Sequence, residues 1–464
     1  MKDTKRGITD VVEEQAVSKT SKKGIWGWML FDWAAQPFHT LILTFIFAPY
    51  FVAQVVPNAV EGQAAWGYAI GIGGIIIAIL SPILGAIADA TGPRKPWIFV
   101  FVAMAAAGSF YLWYLVPNAD DTTIFWGLIA LAVALAGIEF AAVFNNAMMP
   151  DLVPREELGR LSGNAWSLGY IGGLLVLIAM LAMMIANPES GTTLVGMTPI
   201  LGLDPALAEG ERASGILTAG WILIFVIPMF LFTPDIPRST KVAGAVAIGL
   251  KELLQTLKNL PKTPSLFAYL GSSMLYRDAL NGLYTFGGIY AAGVLKWEVT
   301  QVGIFGILAA LTGAIGAYFG GRMDDKFGPK PVVVGSLLIL TLASILIITT
   351  DPTHVLFMEV GTLENKSSLP DLMFYACGGL IGAGGGAIQA ASRTLLVDQA
   401  DPERMTEAFG LYALSGKATS FIAPLSVAFV TATFDSQQIG VIPIIVLFLL
   451  GLFMLPFVTG RAKT

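Results

Sequence analysis

Long apolar runs separated by short polar turns dominate the pattern of this chain. Twelve runs are long enough to cross a bilayer, because about 20 residues of helix span roughly 30 Å of hydrocarbon. They cover residues 26–56, 66–89, 96–116, 122–149, 161–186, 215–233, 265–294, 299–321, 331–350, 371–397, 405–433 and 439–458. The pattern therefore predicts an all-α membrane protein with twelve transmembrane helices.

One polar turn recurs in altered form in the second half of the chain. The first copy contains Gly85, Asp89, Gly92, Arg94 and Lys95, and the second, 236 residues later, contains Gly321, Asp325, Gly328 and Lys330. A second match pairs Asp151 with Asp398. Repeats that run in the same direction predict two six-helix bundles related by an axis along the membrane normal.

The repeat divides the chain into five segments. We expect an N-terminal tail at 1–23, a first bundle at 24–233, a linker at 234–264, a second bundle at 265–458 and a C-terminal tail at 459–464. In the linker, Leu250, Leu253, Leu254 and Leu257 share one helical face. This pattern predicts an amphipathic helix on the membrane surface. A docking helix for another protein is the alternative interpretation.

The distribution of basic residues predicts the orientation of the chain. Hydrophobic residues make up 55% of the sequence and charged residues only 13%, as in integral membrane proteins. The loops on the side of the termini hold most Lys and Arg residues, whereas the other side holds Arg212, Lys296 and Lys366. The positive-inside rule therefore places both termini in the cytoplasm. Short loops suggest a bacterial inner membrane.

Polar and charged residues inside the apolar runs are concentrated in the first and fourth helices of each half. They are Asp32, Gln36, His39, Glu139, Asn145, Asn146, Arg277, Asp278, Asn281, Gln389 and Arg393, together with Lys417 in the eleventh run. Each ionisable group costs roughly 2.5–3.5 kcal/mol in hydrocarbon, so a shared aqueous cavity for substrate and protons is the prediction. The alternative is that each residue pairs with a neighbouring helix. His39 could equally be a packing residue, and Lys417 could reach the interface.

The two hairpin carboxylates predict a closure between the halves. An acid at the end of one helix can accept hydrogen bonds from the free N–H groups that begin another. We expect Asp89 to meet the start of the eleventh helix near Met405, and Asp325 the start of the fifth near Arg160. The hairpin residues of both copies, with Asp151 and Asp398, would then form a cytoplasmic gate.

The sequence contains no signature of enzymatic chemistry. Its one cysteine, Cys377, excludes an internal disulfide, and the two histidines, His39 and His354, belong to no zinc-protease or nucleophile motif. A phosphate-binding loop of the glycine-rich type is also missing from the sequence. We therefore expect no catalytic residues, no metal, no cofactor and no nucleic-acid partner. The partners that we expect are a small-molecule substrate, protons and the lipid bilayer, and the chain is expected to be a monomer.

The paired hairpin within twelve spans resembles the major facilitator superfamily of secondary transporters, over roughly residues 24 to 460. Three local motifs are similar to its vacuole-effluxer-like branch: Phe31-Asp32-Trp33-Ala34, Asn145-Asn146-Ala147-Met148-Met149-Pro150-Asp151, and Asp278-Ala279-Leu280-Asn281 leading to Thr285-Phe286-Gly287-Gly288. Fungal relatives in this branch are associated with releasing amino acids from the vacuole. Where that branch usually continues with Asn-Ser, this chain has Ala35-Gln36-Pro37.

The resemblance implies a secondary active transporter that works by alternating access. A cavity with Asp32, Glu139 and Asp278 on one hand and Arg277 and Arg393 on the other suits a zwitterion, so an amino acid moved with protons is our leading hypothesis. A carrier of a peptide, a sugar or a drug-like solute is the second hypothesis. A receptor or lipid scramblase built on a carrier fold is a third.

Overall fold

The computed structural model describes residues 20–187, 190–235, 244–297, 299–362 and 367–460. Within these ranges the chain forms twelve long helical segments. They are α1 (Lys22–Val55), α2 (Ala59–Thr91), α3 (Lys95–Tyr114), α4 (Asp121–Asp151), α5 (Arg155–Met183), α6 (Glu209–Phe232), α7 (Pro264–Gly293), α8 (Val299–Phe327), α9 (Pro329–Ile348), α10 (Leu369–Gln399), α11 (Pro402–Phe434) and α12 (Gln437–Phe457).

Eleven of these segments are both long enough and apolar enough to cross a membrane. The remaining segment, α7, is 30 residues long but carries Arg277 and Asp278 in its middle, which lowers its hydropathy. It packs against α12, α10 and α11 as one member of a bundle. The twelve segments coincide with the twelve predicted runs, although several begin or end a few residues away from the predicted limits.

Four segments contain a π-helical stretch or a break in the α-helix. In α1 the regular helix Lys22–Pro37 continues as a wider π-helical stretch, Phe38–Phe45, because Pro37 lacks an N–H and crowds the preceding turn. Breaks near Val226 and Val441 precede Pro228 and Pro443. In α11, by contrast, the helix stops at Ala418 and restarts at Ile422.

The helices form two bundles of six. In the first bundle α1 packs on α5, α4 lies between α2 and α3, and α3 contacts α6. The second bundle repeats this plan, with α10 between α8 and α9 and with α7 against α12. The bundles meet along two main seams, α2 against α11 and α5 against α8. We call the side where α1 begins and α12 ends the terminal face.

Glycines bring the backbones of the two bundles together near the terminal face. A Cβ atom at Gly163 would collide with the carbonyl oxygen of Ala317 on α8. A Cβ at Gly410 would lie 2.5 Å from the carbonyl oxygen of Ser81 on α2. Small residues permit this approach in membranes, where dispersion contacts replace the hydrophobic effect as the main attraction between helices. Both seams are therefore tightly closed at this level.

The linker contributes a separate helix, Ala245–Asn259, at the terminal end of α2. Gly249 permits its approach, since a Cβ there would lie 2.7 Å from the carbonyl oxygen of Ala86. Leu253 is buried, whereas Leu250, Leu254 and Leu257 are exposed. The helix also reaches the second bundle, because Arg404 donates to the Thr256 hydroxyl at 2.7 Å. The earlier part of the linker, 236–243, lies outside the described residues.

The longest loop of the second bundle lies on the face opposite the termini. It joins α9 to α10 and contains a short hairpin of β1 (His354–Val355) and β2 (Met358–Glu359). The hairpin turn places Leu356 and Phe357 at positive φ values of 53° and 62°. Residues 363–366 of this loop lie outside the described residues.

Candidate substrate cavity and its closure

An ion pair joins the two bundles in the half of the helices nearer the terminal face. The Arg393 guanidinium on α10 donates to the Asp32 carboxylate on α1, with an Nη2–Oδ2 distance of 2.6 Å. Both side chains are largely buried, with 7% and 12% of their surface exposed. The guanidinium also lies over the Trp166 ring of α5, 4.9 Å from its centroid. Its second terminal nitrogen, Nη1, has no hydrogen-bond acceptor among the described residues.

A second ion pair joins the bundles between α4 and α11. Lys417 of α11 donates to the Glu139 carboxylate of α4, with an Nζ–Oε1 distance of 3.0 Å. These side chains keep 27% and 24% of their surface exposed, so solvent can reach this pair more easily than the first. His39, in the π-helical stretch of α1, is half-buried and its ring lies edge-on to Phe38, with the ring centroids 5.9 Å apart. The first bundle thus contributes two carboxylates, and the second bundle contributes the two bases that neutralise them.

Tyrosine hydroxyls extend this polar region by one helical turn. The Gln389 amide of α10 donates to the Tyr170 hydroxyl on α5 at 2.8 Å and lies 3.5 Å from the Tyr284 hydroxyl on α7. Gly385 provides the space for Tyr284, because a Cβ there would collide with the hydroxyl. Tyr284 keeps 43% of its surface exposed, and Asn281 and Thr285 on the same helix are also exposed. This level of the fold therefore offers an accessible polar surface.

Arg277 and Asp278 make their contacts inside the second bundle. Arg277 donates to the Tyr412 carbonyl oxygen at 2.7 Å, and its guanidinium lies 4.1 Å from the Tyr412 ring centroid. Asp278 is fully buried and accepts the Ala423 backbone N–H at 2.9 Å. Ala423 belongs to the first turn after the break in α11, so the carboxyl caps the second part of that broken helix.

Three of the remaining candidate residues lie against other helices. Asn145 is fully buried, its carbonyl oxygen accepts the Trp28 indole N–H at 2.7 Å, and its side chain has no partner among the described residues. Asn146, beside it, also has an unpartnered amide oxygen. Gln36 packs over Gly173 of α5. The structure therefore brings Asp32, Glu139, Gln389, Arg393 and Lys417 together across the bundles and leaves Asn145 in the packed interior of the first.

The hairpin carboxylates join the bundles at the terminal face. Asp89 accepts the backbone N–H groups of Thr406 and Glu407, at 3.2 and 2.8 Å, in the first turn of α11. Asp325 accepts the backbone N–H of Arg160 at 3.1 Å and pairs with its guanidinium Nε at 2.8 Å. These contacts lie where the sequence placed them. Each closes one seam by capping a helix of the opposite bundle.

The other hairpin residues support this closure in unequal ways. Arg94 is buried and donates to Asp151 at 2.7 Å and to the Thr406 hydroxyl at 2.9 Å, whereas Asp398 pairs with Arg155. Lys95 and Lys330 make similar contacts at the ends of α6 and α12, where they donate to the carbonyl oxygens of Phe230 and Val458. Gly92 and Gly328 have φ values of 94° and 89°, which favour glycine.

Aromatic residues are the part of the cavity that our sequence reasoning missed. Trp166 and Tyr170 lie one turn apart on α5, and Tyr284 lies two turns after Arg277 on α7. In a sequence, an aromatic residue within an apolar helix is normally interpreted as facing lipid or packing in the core. Only the helical spacing of these aromatic residues relative to the polar residues could have indicated that they line the polar region. Among the described residues, three or more His, Cys, Asp or Glu side chains nowhere converge as a metal site would require.

Solved structures that share this fold include transporters of the major facilitator superfamily. FucP, in a structure titled as the outward conformation, aligns with a TM-score of 0.68, covering 94% of this chain and 98% of its own at 14% identity. The human organic anion transporter MFSD10 aligns with a TM-score of 0.63 over 93% and 99% of the two chains, at 17% identity. At this identity the likeness establishes the fold: twelve transmembrane helices in two pseudo-symmetric bundles, as predicted.

Sequence relatives identify the family more closely. The profile of the family described as vacuole effluxer Atg22-like matches residues 51–463, and the chain belongs to that family. An uncharacterised MFS-type transporter, YxiO of Bacillus subtilis, is 26% identical over 446 residues, covering 94% of this chain and 95% of its own. The multidrug resistance protein MdtG of Citrobacter koseri is 24% identical over 85% of both chains. The family resemblance seen in the sequence is thus confirmed, and the chain is a major facilitator transporter.

Proposed function

We propose that this transporter moves a small zwitterionic metabolite, an amino acid, by alternating access coupled to protons. The proposal rests on the two ion pairs that join the bundles, Asp32 with Arg393 and Glu139 with Lys417. In each pair one bundle supplies the carboxylate and the other the base. A solute with an ammonium and a carboxylate group can replace one pair by satisfying both members at once.

The replacement explains why binding and movement would be linked. Separating two buried charges without compensation costs several kcal/mol, so the empty carrier resists moving its bundles apart. A zwitterion that inserts between Asp32 and Arg393 removes that cost. The solute would therefore bind with different affinity before and after the movement, which is the condition for driving it.

Asp278 is the carboxyl group that we propose carries the proton. It is fully buried, lies within 4 Å of no basic side chain in the described part of the chain, and has one oxygen without a partner. A carboxylate in such surroundings is costly to keep charged. Because the other oxygen caps the second part of α11, a change in protonation would act directly on the broken helix.

The hairpin contacts form the gate in this proposal. Asp89 and Asp325 close the two seams at the terminal face, supported by the other hairpin residues and by Asp151 and Asp398, which pair with Arg94 and Arg155. The excess of basic residues at this face supports a cytoplasmic location for both termini, in a bacterial inner membrane. We further propose that the protein works as a monomer, because each monomer contains both bundles and the whole cavity.

A drug-like or sugar substrate is the second candidate. The Trp166 and Tyr170 rings lie beside the ion pair with their centroids 6.0 Å apart and their planes inclined at 39°, and aromatic walls suit larger apolar or cyclic solutes. The relative MdtG is named a multidrug resistance protein, and FucP is titled a fucose:proton symporter. A receptor or scramblase on the same fold would bind ligand without saturable solute flux.

A thermal-shift screen of the purified protein tests the substrate class. Amino acids, peptides, sugars and cationic drugs are added at two pH values, and only a ligand of the folded state raises the unfolding midpoint. We expect an amino acid to raise it, and the Arg393→Gln variant to lose that response. A sugar or a drug that raises the midpoint when every amino acid fails would replace the leading proposal by the second one.

A further inference from the structure

A cavity lies outside the central polar region, at the terminal face between α1, α5 and α8. Its volume is about 330 Å³. Its apolar wall contains Trp26, Met29 and Leu161, and its polar lining contains Arg160, Asn164, Arg322 and the carboxylate Glu157. The cavity therefore combines apolar side chains with two guanidinium groups, an amide and one carboxylate.

The internal repeat shows what occupies the corresponding place in the other seam. At the repeat offset of 236 residues, Arg322 on α8 corresponds to Ala86 on α2. At Ala86 the linker helix packs directly on the backbone through Gly249. The chain thus covers the α2–α11 seam with its own helix, whereas the α5–α8 seam has an open cavity and an arginine at the same level.

Arg322 has a charge that the described part of the protein does not neutralise. Its guanidinium lies 3.4 Å from the Tyr318 ring centroid and donates to the Tyr318 carbonyl oxygen at 2.9 Å and to the Asn164 side chain at 3.4 Å. Within the described ranges no carboxylate lies within 4 Å of it. Arg160, which also lines the cavity, uses its Nε for Asp325 and its Nη2 for Glu157, and its Nη1 has no partner among the described residues.

Two guanidinium groups that face one cavity suit a phosphate group, because their forked N–H donors match its oxygens. The apolar wall requires a ligand with a hydrocarbon part as well. Trp26 keeps 53% of its surface exposed in the second turn of α1, a position typical of rings at the headgroup level. Phe319 and Met323, on either side of Arg322 along α8, are 58% and 50% exposed, as lipid-facing side chains are.

We propose that this cavity binds an anionic phospholipid, whose phosphate lies between Arg160 and Arg322 and whose acyl chain lies along Trp26 and Met29. Because Arg160 belongs to the first bundle and Arg322 to the second, the lipid bridges the α5–α8 seam. It takes the role at this seam that the linker helix has at the other. Binding favours the closed terminal face, since separating the bundles would pull the two arginines apart.

Lipid binding to the purified full-length protein tests this proposal. Phosphatidylglycerol is titrated into the detergent-solubilised protein, bound lipids are counted by native mass spectrometry, and the unfolding midpoint is followed. We expect one tightly bound phosphatidylglycerol, a rise of the midpoint, and an affinity about tenfold weaker in Arg322→Gln, as for a lost hydrogen bond to a charged group. Lys258→Gln, which removes an exposed base of the linker helix, should bind like the wild type.

Two further variants keep the test decisive if Arg322→Gln folds poorly. Arg322→Lys retains the charge without the fork and should give an intermediate affinity, and Trp26→Ala should weaken binding without changing any charge. Equal phosphatidylglycerol affinity in the wild type and in the Arg322 variants would overturn the proposal. So would the same rise of the midpoint with phosphatidylcholine or with inorganic phosphate alone, or a cross-linked dimer formed through this face.

Discussion

At the scale of single residues, the central feature is that buried charges are neutralised across the boundary between the bundles. Asp32 and Arg393 are 361 residues apart in sequence, yet they share one hydrogen bond of 2.6 Å. A buried pair contributes little net stability, but removing one member leaves the other without compensation. Such a pair suits a place where a ligand must later intervene.

The single and double variants of this pair should therefore differ. We expect Arg393→Gln to lower the free energy of unfolding by about 3 kcal/mol, because Asp32 then remains buried and charged. The double variant Asp32→Asn with Arg393→Gln should recover most of that loss. Unfolding midpoints in detergent measure this difference. If the losses of the two single variants simply add in the double variant, the two residues do not act as a pair.

Asp278 caps the restarted part of α11, and conservative substitution can separate this contact from the proton-carrying role that we propose for it. Asp278→Asn retains an oxygen that can accept the Ala423 N–H but cannot exchange a proton. We expect this variant to fold and to exchange solute between the two sides, and to lose accumulation driven by a proton gradient. Asp278→Leu should also lower the unfolding midpoint, because the cap of the broken helix is lost. Proton-driven accumulation by Asp278→Asn at the wild-type level would exclude it as the proton site.

The sequence was more informative about which residues are polar than about how they pair. Because a charge inside a membrane span is costly, the sequence marks four residues as important: Asp32, Glu139, Arg393 and Lys417. It does not show which neighbouring helix each of them faces. The contacts of Asp89 and Asp325 could be anticipated, because the repeat fixes both the position of each carboxylate and the helix start opposite it. Partners far apart in sequence, such as Asp32 and Arg393, depend on how the bundles dock.

At the scale of helices, the two seams depend on glycine rather than on bulky side chains. At one seam, Gly159 and Gly163 of α5 contact the backbone of Gly321 and Ala317 on α8. At the other, a Cβ atom added to Gly85 would lie only 2.5 Å from the Thr406 carbonyl oxygen. Surfaces without side chains can separate and close again with little repacking. The seams are accordingly the elements that we expect to open.

Adding a side chain to a seam should shift the protein toward a state that is open at the terminal face. Gly163→Val places atoms where the Ala317 carbonyl oxygen lies, so the closed seam cannot form unchanged. Spin labels at Glu156→Cys and Lys326→Cys, in a Cys377→Ala background, report the distance across the seam. We expect this distance to increase. Gly71→Val is the matched control, because no atom lies within 4 Å of the Cβ position at Gly71. If the distance between the labels increased equally in this variant, the effect would come from introducing valine and not from blocking the seam.

The hydropathy of the sequence predicted the lengths of the helices. The sequence predicted only some of the irregularities within them. Pro37 indicated a disturbance in α1, and the structure has a π-helical stretch directly after it. The break in α11 at Ala418 precedes Pro424 by several residues, so the sequence did not locate it. Its position depends on Asp278, a residue of another helix, which caps the restarted segment.

At the scale of the whole molecule, the two bundles are joined tightly at the terminal face, and polar side chains remain accessible near the middle of α7. Tyr284, Asn281 and Thr285 are exposed, while Asp89 and Asp325 close the seams at one end. In the alternating-access mechanism that we propose, this arrangement is one of the two required states. The other state would break the terminal contacts of Asp89 and Asp325.

Weakening both contacts together should therefore populate that other state. We expect Asp89→Asn combined with Asp325→Asn to raise the open population at least tenfold, because each hydrogen bond to a charged group contributes about 1.5–3 kcal/mol. The same pair of labels at positions 156 and 326 measures it as a second, longer distance. Asp435→Asn, at the opposite face, is the control. A single unchanged distance in the double variant would show that the carboxylates do not hold the bundles together.

The central claim, that a zwitterionic solute exchanges places with ion pairs between two moving bundles, is tested most directly by solute flux. Purified protein in liposomes receives a mixture of labelled amino acids under an imposed proton gradient, beside the double variant Asp32→Asn with Arg393→Gln. The account predicts saturable uptake by the wild type and none by the double variant, although that variant folds. Uptake at equal rates by both proteins, or uptake of other solutes but of no amino acid, would contradict it.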